Sequence, residues 1–212
     1  MQTERSFCIL GFMNAVQKNT LRGEALRQKV LDTALQLFSE RGFFNTSIHD
    51  IRKVAGVSTG AIYHHFKNKE ALAQSLYETI LGQMDDAIAQ ACSEKSGCLE
   101  KSRAIIEKLF LMTEQYPQQM QFVLLAQHRE YLPDEAPICS SSPFRMMKQV
   151  IIGGIEKGEV RHLEPWVAAT AMFGGALRMM NLQLDGVLDQ PLSVYQDAVV
   201  ECAWLGIRKE QA

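Results

Sequence analysis

The 212-residue chain is long enough for one large domain or two small ones, and its 47% apolar and 22% charged residues are those of an ordinary globular protein. That composition excludes disordered, collagen-like and low-complexity polymers, and a formal net charge of only −2 argues against a protein that coats nucleic acid or an acidic surface through bulk charge. Five scattered cysteines (Cys8, Cys92, Cys98, Cys139 and Cys202) include no C-x-x-C pair, so no zinc or redox spacing is present and a cytoplasmic setting is expected.

No stretch reaches the roughly 20 apolar residues that span a bilayer. Phe7 to Met13 is apolar and follows Arg5, but it contains Gly11 and lacks a small-residue cleavage site, so no signal peptide is expected. Residues 1–20 read as a loose N-terminal arm, with Met13 as an alternative start.

Beyond the arm the apolar periodicity is helical nearly everywhere, without an alternating strand or an Asn-Gly hairpin, so an all-α fold is expected. Leu26, Val30, Ala34, Leu37 and Phe38 form one stripe of an amphipathic helix that Gly42 can end in a left-handed cap. Ser47 and Asp50 have the spacing of a capping box for a second helix, with Ile48, Ile51 and Ala55 on its apolar face and Gly56 as its stop. Ser58 can cap a third, with Val57 and Ile62 at the spacing of a hydrophobic staple.

From Asn68 a longer pattern begins, in which Leu72, Leu76, Ile80, Met84, Ile88 and Ala91 face one way. Further helices are predicted over 98–115, broken by Tyr116-Pro117, over 118–131, ended by Pro133, and over 142–157, with Pro143 in the first turn. The last two, 165–185 and 192–208, are unusually apolar and are separated by Asp185-Gly186 and Asp189-Gln190-Pro191.

The small net charge is an average over two unlike parts. Residues 18–69 carry nine Lys/Arg and four Asp/Glu, a net of +5, whereas residues 70–212 carry twelve and nineteen, a net of −7. Such asymmetry suggests one nucleic-acid-facing end. The basic segment also holds the two short helices joined at Gly56, the sequence form of a helix-turn-helix. At 100° per residue, Ile62 and Phe66 of the second helix point to the core, Gly60, Tyr63 and His64 point away, and Thr59 and His65 flank the seam. Outward residues at the N-terminal end of such a helix reach base edges, its other polar groups grip phosphates, and Gly60 lets the backbone approach closely. Thr46 and Ser47 begin the second helix, where free N–H groups favour a phosphate or are simply capped, and Lys69, with Asn68, can hold another.

The run from Phe43 to Leu72, F-F-N-T-S-I-H-D-I-R-K-V-A-G-V-S-T-G-A-I-Y-H-H-F-K-N-K-E-A-L, resembles the signature of TetR/AcrR-type transcriptional regulators. It joins the T-S-I-x-D-I start, the A-G-V-S turn, G-x-I-Y-x-H-F and K-x-K-E-x-L in one register, and departs from the family where a small alanine is replaced by Arg52. The resemblance implies phosphate contacts from Ser47, Tyr63, His65 and Lys69 and base-side contacts from His49, Thr59, Gly60 and Ala61. With the outward-facing residues and the helix caps, the expected DNA-binding set is Thr46, Ser47, His49, Ser58, Thr59, Gly60, Ala61, Tyr63, His64, His65 and Lys69. The resemblance also implies about nine helices, a homodimer built on the last two and an inducer pocket in the body.

The expected organisation is therefore an arm (1–20), a helix-turn-helix DNA-binding domain (21–69, motif about 47–66) and a C-terminal effector-binding and dimerisation domain (70–212). Helix 165–185 is apolar on too many sides for a lone surface helix, and Gly174-Gly175-Ala176 lets another helix approach, with Trp204 and Leu205 joining; a buried monomeric core is the other reading. An effector, of no assigned class, would meet Phe110, Met112, Phe122, Leu125, Phe144 and Met147, with His128 or Arg178 as a polar anchor, although such stripes also build ordinary cores.

His64 and His65 diverge by about 100° on a helix and are not expected to share a metal ion. Cys92 and Cys98 flank a helix break and are expected to be inert thiols. No cofactor is expected. With the helix-turn-helix, the resemblance implies a ligand-responsive, operator-binding dimeric repressor; the competing classes are a helical enzyme, for which no nucleophile–base pair, paired carboxylates or metal spacing is found, and a small-molecule carrier.

Overall fold

The computed structural model describes residues 23–210, so the arm expected over 1–20 lies outside the described residues. Nine α-helices run through them: α1 (23–41), α2 (Ile48–Ala55), α3 (Thr59–His65), α4 (Lys69–Ser93), α5 (Cys98–Gln115), α6 (Pro117–Leu125), α7 (Ser142–Glu156), α8 (Pro165–Leu184) and α9 (Leu192–Ile207). Two short 3₁₀ turns (His128–Glu130 and Ile138–Ser140) interrupt the segment between α6 and α7. The extended pairing among the described residues is an isolated antiparallel bridge between Val160 and Arg208. The fold is all-helical, with an N-terminal helix-turn-helix.

Local chemistry sets the boundaries in the first unit. Gly42 ends α1 in the left-handed region and donates its N–H to the Phe38 carbonyl at 2.9 Å. Ser47 and Asp50 form the predicted capping box at the start of α2, and Gly56 stops that helix with φ 65° and ψ 35°, a conformation a side chain would strain. Ser58 Oγ caps α3 by accepting from the Ala61 N–H at 3.1 Å, and Asn68 Oδ1 does the same for α4 by accepting from Ala71 at 2.7 Å. Val30, Ala34, Leu37 and Phe38 of α1, Ile51 and Ala55 of α2, and Ile62 and Phe66 at α3 are buried, so the predicted stripes form a core.

Two compact units divide within α4, between Leu76 and Tyr77, rather than at the expected boundary of 69 and 70. The first turns of α4 belong to the N-terminal core: Leu72, Ala73 and Leu76 are buried, and Ser75 Oγ accepts a 2.5 Å hydrogen bond from the Arg27 guanidinium of α1.

In the second unit α5 packs against α7, α8 and α9, and α8 pairs with α9. Ile105, Ile106, Leu109 and Phe110 of α5 are buried at its centre. The close approach of α7 to α5 requires a glycine: a Cβ on Gly154 would lie 2.6 Å from Cys98 Sγ and 2.9 Å from Val160. Carboxylates complete two helix starts, Glu159 accepting from the Cys98 N–H and Glu114 from the Leu192 N–H, both at 2.6 Å. Arg103 of α5 pairs with Asp197 of α9.

One predicted helix is shorter than expected. The segment 118–131 stops being α-helical at Leu125, where Ala126 turns extended with ψ 139°, and the chain re-enters as a 3₁₀ turn that buries His128. Packing of the imidazole between aromatic rings outweighs continuation of the apolar helical pattern.

Candidate nucleic-acid interface

The outward face of α3 is assembled by what its inward face buries. Ile62 and Phe66 are fixed in the core, so Tyr63, His64, Thr59 and Gly60 are exposed, Tyr63 by 52%, while Ala61 and His65 are half-buried at the seam. The His64 and His65 rings meet edge to face at 5.1 Å. A Cβ built on Gly60 meets nothing within 4 Å, so the surface there is open to an approaching molecule. The α2 turn presents Ser47 and His49, and Ser58 occupies the cap between the helices with its hydroxyl exposed.

Ser47 has a double engagement: its hydroxyl accepts from the Asp50 N–H and donates to the Asp50 carboxylate, which also accepts from the Ser47 N–H at 2.9 Å. Those bonds from Ser47, side chain first, hold the Asp50 carboxyl below the usual carboxylate range. A cleft of about 380 Å³ runs beside this cap, lined by Phe44, Asn45, Thr46, Ser47, Ile48, Asp50 and Lys69.

Two expected phosphate ligands have other work in this structure. Thr46 is 1% exposed, and its hydroxyl donates to the Leu37 and Gly42 carbonyls at 3.2 and 3.0 Å. It ties the α1–α2 turn and its side chain is not presented to a ligand. Lys69 is half-buried; its ammonium donates to the Phe43 and Thr46 carbonyls, each at 2.9 Å, and lies 4.0 Å from the Phe43 ring centroid. One of its three N–H bonds remains for an anion. Arg27, absent from the set expected from sequence, sits 5.6 Å from the Phe66 ring centroid and links the end of α3 to α4 through Ser75. Its sequence signal is no more than a basic residue on the exposed edge of a helical stripe.

The residues expected to meet an effector occupy the second unit. Phe110, Met112, Phe122 and Met147 are buried and Leu125 and Phe144 half-buried. His128 is buried: its Nδ1 shares a 2.7 Å hydrogen bond with the Tyr131 hydroxyl, and its ring stacks with Tyr77 and Phe122 at 4.4 and 4.9 Å. Burial lowers its pKa, against the pull of the Phe122 and Val123 carbonyls, so the imidazole is neutral near pH 7. Arg178, offered as the other polar anchor, lies exposed on α8, since burying a lone guanidinium without a partner is costly. Cys98 is buried with its thiol pushed up to about 11, an unreactive state. No helix among the described residues is long and apolar enough to cross a membrane.

The model of the bacterial regulatory proteins of the tetR family matches residues 30–76, which span the helix-turn-helix and the α1 and α4 segments that pack around it. That segment is similar to the tetR-family regulators. The HTH-type transcriptional regulator AcrR of Shigella flexneri is 45% identical over 62 residues, 29% of each chain. The fatty acid metabolism regulator protein of Bacillus subtilis is 34% identical over 82 residues, 39% of this chain and 42% of its own. These matches span less than half the length of either relative. The likeness in fold extends beyond that segment: the crystal structure of a TetR family transcription regulator from Marinobacter aquaeolei superposes with a TM-score of 0.77 at 19% identity, over 90% of this chain and all of the other.

Proposed function

We propose that this chain is a TetR-family, sequence-specific DNA-binding transcriptional regulator acting in the cytoplasm, a repressor that binds a near-palindromic operator as a homodimer and leaves it when a small molecule enters the C-terminal unit. The observation that carries the reading is the exposed α3 face of Thr59, Gly60, Tyr63 and His64, held outward by the capped helix-turn-helix on the basic end of the chain. Thr59, Gly60 and Ala61 reach base edges together with His49 of α2, while Ser47, Ser58, Tyr63, His65 and the remaining N–H of Lys69 take phosphates.

Support for the dimer comes from α8 and α9. Their outer sides leave Val167, Val194 and Leu205 more than half exposed and form an apolar groove of about 530 Å³ lined by residues such as Ala171, Gly175, Met179, Val199 and Cys202. Such a patch suits an isologous contact with a second copy. Half-sites about one helical turn apart, or a multiple, then follow from the two-fold axis. An effector releases the operator only by binding the DNA-free conformation better, a coupling of about 1–3 kcal/mol.

The test is selection of duplexes from a random-sequence library by the full chain, followed by fluorescence anisotropy with the recovered duplex. Tyr63→Ala is expected to weaken binding about tenfold with an unchanged melting temperature. Equal affinity in variant and parent would remove α3 from the interface.

A further inference from the structure

Three basic side chains in the described part of the first unit are half-buried: Arg27, Arg52 and Lys69. Two of them have fixed partners. Arg27 bonds Ser75 and faces the Phe66 ring, and Lys69 bonds two carbonyls and faces the Phe43 ring. The guanidinium of Arg52, among the described residues, makes no hydrogen bond, ion pair or ring contact, while its backbone carbonyl accepts from the Gly56 and Val57 N–H groups.

A half-buried arginine whose guanidinium has no partner among the described residues is an unusual expense. Its stem has given up rotamer freedom and part of its water, and no acceptor among the described residues repays the loss. Helix geometry adds a direction. On α2, Arg52 stands 100° from the buried Ile51, with His49 one turn before it and Lys53 a further 100° round. Side chains on a helix lean towards its N-terminus, so Arg52 leans towards His49. The one carboxylate on α2, Asp50, is 200° from Arg52 and bonded to Ser47, so it does not neutralise this edge. His49, Arg52 and Lys53 therefore make a cationic edge on α2, outside the recognition helix, with the guanidinium fork on the side next to the buried face.

We infer that Arg52 is a further DNA-contacting residue whose guanidinium takes a backbone phosphate of the bound duplex, so that α2 clamps the backbone while α3 enters the groove. The inference rests on the DNA-binding reading above and goes beyond it, because that reading draws its contacts from the α2 start, α3 and Lys69. A phosphate suits the fork because it accepts two parallel N–H bonds, a geometry that lysine cannot reproduce.

The experiment compares the full-length parent with Arg52→Met, which keeps the packed stem and removes the charge, and Arg52→Lys, which keeps the charge and removes the fork. Each is titrated by anisotropy, at several salt concentrations, against two probes: a duplex recovered by selection with the parent chain and a random-sequence duplex of the same length. Arg52→Met is expected to weaken binding to both probes about tenfold. It should also flatten the plot of log affinity against log salt by about 0.9 for each phosphate no longer neutralised, hence by about 1.8 for a dimer. Arg52→Lys is expected to fall between, with the parent's slope nearly restored. Parent-like affinity and slope for Arg52→Met would overturn the inference, and so would a loss confined to the selected duplex, which would make Arg52 a base reader. If the parent itself shows no salt-dependent binding to either probe, the DNA-binding reading fails and the Arg52 inference falls with it. Thermal melting of Arg52→Met within a few degrees of the parent keeps a folding defect from imitating the loss.

Discussion

Replacing Lys69 with methionine separates two roles that the sequence does not distinguish. Its ammonium donates to the Phe43 and Thr46 carbonyls at 2.9 Å and lies 4.0 Å from the Phe43 ring centroid, so it fastens the α1–α2 turn to the start of α4. Hydrogen bonds to a charged donor contribute about 1.5–3 kcal/mol each, and an exposed cation–π contact about 0.5–1 kcal/mol. Because the site is only half-buried, the released carbonyls regain water and the methionine stem still packs, which leaves a net loss of about 2 kcal/mol. The assay is amide hydrogen exchange on the full chain. Protection across residues 43–55 is expected to fall by about thirtyfold, the equivalent of 2 kcal/mol, while α8 and α9 exchange as before. Undiminished protection together with weakened DNA binding would refute the reasoning and return Lys69 to the role of a free phosphate ligand.

Gly154→Ala is expected to lower the stability of the second unit by about 1–3 kcal/mol in thermal or urea unfolding, because its methyl group would sit 2.6 Å from Cys98 Sγ. Cys98→Gly in the same chain should recover part of that loss. His128 has a folded-state pKa below its unfolded value of 6.5, so the unfolded chain binds the proton better. Its contribution to stability is complete above about pH 6.5 and declines as pH falls through the lowered folded value. The melting temperature should therefore drop between pH 7 and 5 less steeply in His128→Phe than in the parent, and equal slopes would contradict a buried neutral imidazole. Gly175→Arg fits the monomer, since a Cβ there meets nothing within 4 Å. Sedimentation velocity is expected to show it as a folded monomer beside a dimeric parent.

The elements read most clearly from sequence are those specified by neighbours three or four residues apart. The Ser47–Asp50 box, the Gly56 stop and the Ser58 cap all lie within that range, so α2 and α3 are legible from one short segment. The structural bonds of Lys69, and that of Thr46 to Leu37, are hidden for the opposite reason. The Leu37 carbonyl lies nine residues before Thr46, and only the folded turn brings Lys69 back to the Phe43 and Thr46 carbonyls across more than twenty residues. Arg27 is illegible for the same reason, because its partners Phe66 and Ser75 lie on other helices. The early end of α6 is hidden because apolar periodicity continues past Leu125, whereas the backbone leaves the helix to bury a histidine among rings from three segments. The division within α4 is equally hidden, because one uninterrupted stripe serves both cores in turn.

The net charge of −2 conceals a basic reading end and an acidic body, and the central claim is that the basic end binds duplex DNA through α3. The most direct measurement is the affinity of the full chain for a library-selected duplex and for a random-sequence duplex, each across a salt series. The account predicts tight binding of the selected duplex by a dimer, a steep negative salt slope, and a preference of at least about a thousandfold over the random duplex. Equal affinity for the two duplexes, or no binding to either, would contradict it.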